Sequence, residues 1–335
     1  MSEHSLGPEI KRFLRKQAGS IHRLQARREL YGQIYDKGFP PILWSKGYAA
    51  LAEQNGGLKE VLGRTEKRWD LKKFLKLYNG NAKSYWIPLT SHGKFDRPCP
   101  VDWFAKFILP KINSDFVLIT TDGPAILPYD VREDTLQAIL KAPRLKAWFS
   151  QNVVNSSFDK KLKALPLGID LHTDRGCGVG WNLYENFCDI AHAYENKKNI
   201  IVADCFSNIN SNSRREVFEL VKNDDRFQIF EKKISQLDLW KHYSQSKYVL
   251  SLEGVGADCH RTWEALYMGA VVIGKHIGLD SLFKELPVYP VSSWDEIKSP
   301  DFLRRVDSYV EKKRSLWDFS LKYFFFDYRK YIGDF

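Results

Sequence analysis

Apolar and polar positions fall into two textures along the chain. Up to about residue 75 the apolar residues recur at helical spacing, as in Ile10, Phe13, Leu14, Ile21 and Leu24, with basic residues between them. The pattern predicts helices here, broken at Gly56 and Gly57 and resuming near Leu58. From Ser84 short apolar runs alternate with helical stretches. Residues 85–89, 116–120 and 145–149 read as buried strands, and 166–169 as a short extended piece. Residues 172–197 read as irregular at first, around GCGVGW, and a domain junction is placed near them. Beyond Lys198 strands are expected at 199–203, 227–230, 248–252, 270–273 and 288–291. Helices are expected between them at 214–223, 237–244, from near Asp258, and at 279–286. Such alternation makes an α/β chain with largely parallel sheets, Rossmann-like in its second half. The tail from Ser293 reads as helical, with Ser292 or Ser293 as cap and Asp295 and Glu296 in the first turn. The aromatic-dense end, LWDFSLKYFFFDYRKYI, reads as a docking helix.

Composition adds bounds. With 335 residues, 44% hydrophobic and 14% aromatic, the chain can fill two compact domains. No stretch approaches the roughly 18 uninterrupted apolar residues of a membrane helix. The start, MSEHSLGPEIKRFLRK, has no apolar h-region, and the five irregularly spaced cysteines include no CxxC pair. A cytoplasmic chain with free thiols and no zinc site is therefore expected. The net charge of +10 is concentrated early: the first 80 residues hold 16 Lys or Arg against 8 Asp or Glu. The bland reading is a solvated helix face, and the sharper one is peripheral contact with an anionic membrane surface or attraction to an acidic glycan. Nucleic acid is not expected as a partner, because the basic residues are not interleaved with aromatics in a binding pattern.

The most informative stretch runs from Ser246 to Gly274, SKYVLSLEGVGADCHRTWEALYMGAVVIG. A strand ends in a loop with Gly254 and Gly256, and Asp258 is placed to cap the helix that follows. His260, Arg261 and Glu264 then fall on its first two turns. Free N–H groups at a helix start suit a diphosphate, and glycine lets phosphate approach the backbone. Arg261 adds charge-assisted donors, and Glu264, three residues on, offers a carboxylate to the hydroxyls of a ribose. A dinucleotide fingerprint fits poorly: GVGADC has Cys259 where the third glycine belongs, and Gly274 and Lys275 stand where an acidic residue is needed.

This segment resembles the C-terminal part of the exostosin-like glycosyltransferases. The likeness covers roughly residues 199–298 and is strongest from Asp258 to Gly269, with the later GLDSLFKELPVYPVSSWDEI and weaker echoes in WFSQN and LPLGID. The loop carrying Glu253, Val255 and Ala257 departs from the longer or more basic loop of many relatives. The resemblance implies a GT-B architecture, two Rossmann-like domains facing a central cleft, here with extra N-terminal helices. It implies transfer from a nucleotide sugar, UDP-linked and without a metal cofactor, to a glycan or glycoprotein acceptor with inversion. The corresponding division is an acceptor-binding part at 1–190, a nucleotide-sugar-binding part at 191–298, and C-terminal helices at 299–335 packing back. By position Arg261 and Glu264 match the family's donor-site Arg and Glu. The reading from a different class is a non-catalytic glycan-binding or scaffold protein on a transferase fold.

Further candidates come from placement. Arg214 and Arg215 open a helix after the loop that follows the first strand of the second half, a usual place for phosphate. A general base is sought in the first half: Asp122, after a buried strand in ITTDGP, and His92 in LTSHGKFD. Asp122 also reads as a turn-forming Asp-Gly. His260 is weighed equally as a ligand contact and as a satisfied structural histidine. Cys259 is assigned to packing, and Trp86, Trp148 and Trp263 to the core ahead of sugar stacking.

Overall fold

The computed structural model describes residues 8–63, 69–90, 99–155, 157–191, 197–204, 212–230, 232–252, 254, 256–275 and 278–315. Nine strands form two sheets among them. The first, in order β1-β2-β3-β4, comprises Ser84–Pro88, Phe116–Thr121, Leu145–Ser150 and Leu162–Ala164. The second, in order β6-β5-β7-β8-β9, comprises Lys198–Ala203 (β5), Phe227–Ile229 (β6), Ser246–Ser251 (β7), Val271–Gly274 (β8) and Val288–Pro290 (β9). Every pairing is parallel. The principal helices are α1 (Pro8–Lys37), α2 (Leu71–Leu77), α3 (Glu133–Leu140), α4 (Gly180–Ala191), α5 (Asn212–Val221), α6 (Gln236–Gln245), α7 (His260–Tyr267) and α8 (Phe302–Val310).

Strand alternation explains the layering. In the first sheet Tyr85, Ile87, Phe116, Leu118 and Trp148 point to one face, where they join Phe104, Ile108, Leu136 and Ile139 from the crossover segments. Strands stepping in one direction through right-handed crossovers put those segments on a single face. Trp86, Val117, Ile119, Ala147 and Phe149 point the other way, into a core shared with Leu30 and Ile34 of α1 and with Trp44 and Tyr48. That same core continues to Val202, Val249 and Val272 of the second sheet and to Trp240 and Trp263 of α6 and α7. The opposite face of the second sheet, with Ile201, Tyr248, Leu250 and Ile273, is covered by Val217, Trp294, Phe302 and Val306. Buried on both faces, the strands need continuous apolar runs, which is why they are visible as such in the sequence.

Local chemistry sets several boundaries. Asp70 caps α2 by accepting from Lys73 N–H at 2.8 Å, and Ser235 caps α6 by accepting from Asp238 N–H at 3.1 Å. The expected cap at Ser293 is present as a capping box with Glu296, opening a 3-10 turn over Trp294–Lys298 before α8. The extended piece expected at 166–169 is displaced: the strand is Leu162–Ala164, and Gly168 and Ile169 make isolated bridges to Trp44. Pro166 has no N–H for a ladder, and Gly168 lies at φ 72°, outside strand geometry. Residues 180–191, not expected as a helix, form α4 with Leu183, Phe187 and Ala191 buried along one stripe. Phe187 meets Trp240 of α6 edge-on, with centroids 4.7 Å apart. The aromatic tail expected to dock lies outside the described residues. No helix among the described residues is long and apolar enough to cross a membrane.

Gly168 is held where only glycine fits. An ideal Cβ there would stand 2.2 Å from the Leu43 carbonyl oxygen, whereas one at Gly38, also at positive φ, would meet nothing within 4 Å. Gly168→Ala is expected to lower unfolding free energy by about 3 kcal/mol or more, and Gly38→Ala by about 1 kcal/mol. Urea denaturation of both variants checks this; equal losses would show that the approach of Leu43 to Gly168 is not constrained.

Candidate functional site

Strand order locates the crevice. The chain leaves β5 for β6 on one side and returns to β7 on the other, so the order in which strands are added reverses between β5 and β7. Ligands in open parallel sheets bind outside the carboxyl ends at such a switch point. Asp204 follows β5 there, and after β7 come Gly254, Gly256 and the start of α7. Gly254, Gly256, Ala257, Cys259, His260 and Arg261 are half-buried, so the amino end of α7 is reached from solvent and not sealed.

The carboxyl ends of the two sheets meet at this place. Asn152, just past β3, accepts from Asp258 N–H through Oδ1 at 3.0 Å and donates to the Gly123 carbonyl at 3.3 Å. A Cβ on Gly256 would stand 3.0 Å from the Asn152 side chain, so this glycine permits the close approach of the two loops. At Gly254 the nearest atom, Cys259 Sγ, is 3.8 Å from an ideal Cβ, which is ordinary contact. Asp258 requires a correction. Expected to cap α7 and face a ligand, it is buried and turned inward. Its carboxylate accepts from Leu167 N–H at 2.8 Å, Trp263 Nε1–H at 2.8 Å and Cys259 N–H at 2.7 Å. It ties the loop after β4 to α7 and leaves Cys259 as the N-cap. Burial pushes its pKa up to about 6, against the pull of those three donors.

Arg261 and Glu264 stay beside the crevice. Arg261 Nη2 donates to Asp204 Oδ2 at 2.7 Å, linking α7 to the end of β5. Its Nε is buried without a well-formed hydrogen bond, near the Tyr243 hydroxyl, which also lacks one. Glu264 is 2% exposed, and its Oε2 accepts from Gln236 Nε2 of α6 at 3.1 Å. Among the described residues its Oε1 is buried with no hydrogen-bond partner, and the nearest cation, Arg175 Nη1, stops at 3.9 Å. An unpaired carboxylate oxygen is costly in a protein interior, and a donor from outside the chain would satisfy it.

The other expected residues divide. Arg214 is buried with its guanidinium toward the carbonyls of Asp204 and Leu252, at 3.4 and 3.5 Å, so it braces the ends of β5 and β7. Arg215 is exposed on α5. His260 Nδ1 lies 2.7 Å from the Gly168 carbonyl, which only accepts, so Nδ1 carries the proton and Nε2 remains an acceptor. Burial lowers the His260 pKa, against the pull of Asp170 and Gly168, and keeps the ring neutral at pH 7. Asp122, the expected base, sits at φ 61° as the first residue of its Asp-Gly turn, with its carboxylate on the buried ammonium of Lys46. Lys46 also donates to the Val61 and Gly63 carbonyls, at 2.9 and 3.2 Å. The ion pair gives Asp122 a structural role in holding the loop after β2 against Lys46. His92 lies outside the described residues. Trp86, Trp148 and Trp263 are fully buried, and their indole N–H groups donate at 2.8 Å to Thr121, Thr120 and Asp258 respectively.

Four residues at the site were missed from sequence: Asp204, Gln236, Asp170 and Arg175. Asp170 accepts from His172 N–H, Thr173 N–H and Arg175 Nη2–H at 3.0–3.1 Å. Burial alone would raise its pKa, but His172, His260 and Arg175 hold it well below the usual carboxylate range. The available signal was its position at the end of LPLGID, a stretch noted only as an echo.

No family model matches the chain, and no curated protein matches it. Solved structures similar to it include an alpha-glucosyltransferase in complex with UDP-glucose and DNA containing an abasic site. That match has 12% identity, covers 74% of this chain and 76% of the other, and has a TM-score of 0.35. Another is the pneumococcal O-GlcNAc transferase in complex with UDP and GlcNAc, with 14% identity, 79% of this chain, 60% of the other and a TM-score of 0.38. At such low scores the likeness says nothing of this chain's site, which stands on its own geometry.

Asp258→Ala leaves three buried donors without their acceptor and is expected to cost about 3 kcal/mol at pH 7. Because the folded-state pKa of Asp258 is raised to about 6, its contribution to stability grows as pH falls through 6 and levels off near its unfolded value. The gap between wild type and variant should therefore widen between pH 6.5 and 4.5 in chemical denaturation. A gap that narrows over that range would contradict the placement of this carboxylate.

Proposed function

We propose that the chain is a glycosyltransferase that binds a nucleotide-sugar donor at the carboxyl ends of β5 and β7. The observation that carries this is the orphaned Glu264 Oε1, one turn from Arg261, beside the open amino end of α7. A ribose hydroxyl can donate to that oxygen, and the diphosphate can meet the Arg261 guanidinium and the His260 and Arg261 N–H groups at the helix start. The facing carboxyl ends of the first sheet supply the acceptor side.

The donor is UDP-linked, the outcome inverting and the acceptor a glycan or glycoprotein. These finer assignments come from the exostosin-like resemblance, as does the division at 190 and 298. In such a transfer the acceptor hydroxyl oxygen bonds to the anomeric carbon as the bond to the diphosphate breaks. The hydroxyl proton passes to a base, and the leaving diphosphate takes up negative charge that Arg261 and the helix end offset. No metal cofactor is part of the proposal. Its cationic and dipolar groups come from the chain itself, which suits a nucleotide-sugar co-substrate.

Thermal-shift titration with UDP, GDP and CMP, followed by nucleotide-sugar hydrolysis, tests the proposal. UDP is expected to stabilise the wild type, and Glu264→Gln and Arg261→Ala each to weaken it about tenfold or more. Glycan binding with no response to any nucleotide would replace the enzyme by a binding module.

A further inference from the structure

Arg175 stands in the loop after β4, at the carboxyl end of the first sheet, yet its guanidinium reaches helices of the second. Nη2 donates to Asp170 Oδ2 at 3.0 Å and Nη1 to Gln236 Oε1 at 2.6 Å. The same Nη1 stops 3.9 Å from Glu264 Oε1. The side chain is 34% exposed, between carboxylates of Asp170 and Glu264 that are 5% and 3% exposed. A bridge serving only to join the halves would close the guanidinium onto the carboxylate in a two-pronged contact. Here the contact is split: Gln236 takes one hydrogen, Glu264 keeps an oxygen unpartnered among the described residues, and the Arg175 side chain stays partly exposed.

Arg261 lies on the first turn of α7, three residues before Glu264, with its guanidinium on Asp204, and its charge acts on that of Arg175. Burial opposes the charge on Arg175 and the Arg261 charge opposes it too, while Asp170 and Glu264 sustain it. Each guanidinium is held by an aspartate, Arg175 by Asp170 and Arg261 by Asp204, so both are oriented before an anion arrives.

We propose that Arg175 is a second cation of the donor site, binding the diphosphate opposite Arg261 while the ribose takes the free oxygen of Glu264. This rests on the donor-site reading above and extends it: the site is assembled from both sheets, and Asp170 acts as a positioning residue for Arg175.

Isothermal titration of the full chain with UDP and with uridine separates the possibilities. Arg175→Gln is expected to weaken UDP about ten- to a hundredfold and to leave uridine within about twofold. Arg175→Lys keeps the charge but loses the planar two-pronged geometry, so a smaller UDP loss with unchanged uridine is expected; it also serves if the glutamine variant fails to fold. Unchanged UDP affinity in both variants overturns the proposal. So does an equal loss of UDP and uridine, which would mean that Arg175 only supports Gln236 and Glu264. A wild type that binds neither ligand overturns the donor site itself, and the assignment of Arg175 with it.

Discussion

The meeting of the two parallel sheets depends on one buried carboxylate. Asp258 gathers the Leu167 N–H from the first sheet's loops, the indole of Trp263 and the N–H of Cys259 on two oxygens. Around it Asn152 accepts the Asp258 N–H, Gly168 allows a backbone approach that a side chain would forbid, and Gly256 leaves room for the Asn152 side chain. These contacts set the carboxyl ends of both sheets against one another. The register of the crevice between them follows from that joint.

The charges beside the joint are arranged in two tiers. Lys46 and Asp122 are committed to main-chain oxygens or to each other, and so hold loops in place. Arg261, Arg175 and Glu264 retain incomplete or partly exposed contacts. Incomplete hydrogen bonding in an interior is destabilising, and it persists where a ligand supplies what is missing. Acidic partners at Asp204 and Asp170 orient both arginines before any anion arrives.

Much of the fold was legible because two-sided burial writes strands as apolar runs. The segments around 116–121, 145–150, 246–251 and 271–274 were found to within a residue or two. The short edge strand Leu162–Ala164, with two of its three residues only half-buried, carried no such run, and glycines ahead of α4 hid its apolar stripe. At the site, Arg261 and Glu264 were readable because three-residue spacing on one helix is a local property. Asp258 was misread because its position before a helix looks like a cap. The direction of its carboxylate is decided by Leu167, 91 residues away. Arg175, Gln236 and Asp204 come from three separate elements, and no local pattern joins them to α7. Asp122 was placed correctly after its strand, but its buried partner Lys46 comes from 76 residues earlier.

A crystal structure of the full chain with UDP tests the central claim most directly. The ribose hydroxyls should lie within hydrogen-bond distance of Glu264 Oε1, with the diphosphate against Arg261 and the first N–H groups of α7. Nucleotide bound away from the β5–β7 crevice, with Glu264 Oε1 still unpartnered, would contradict it.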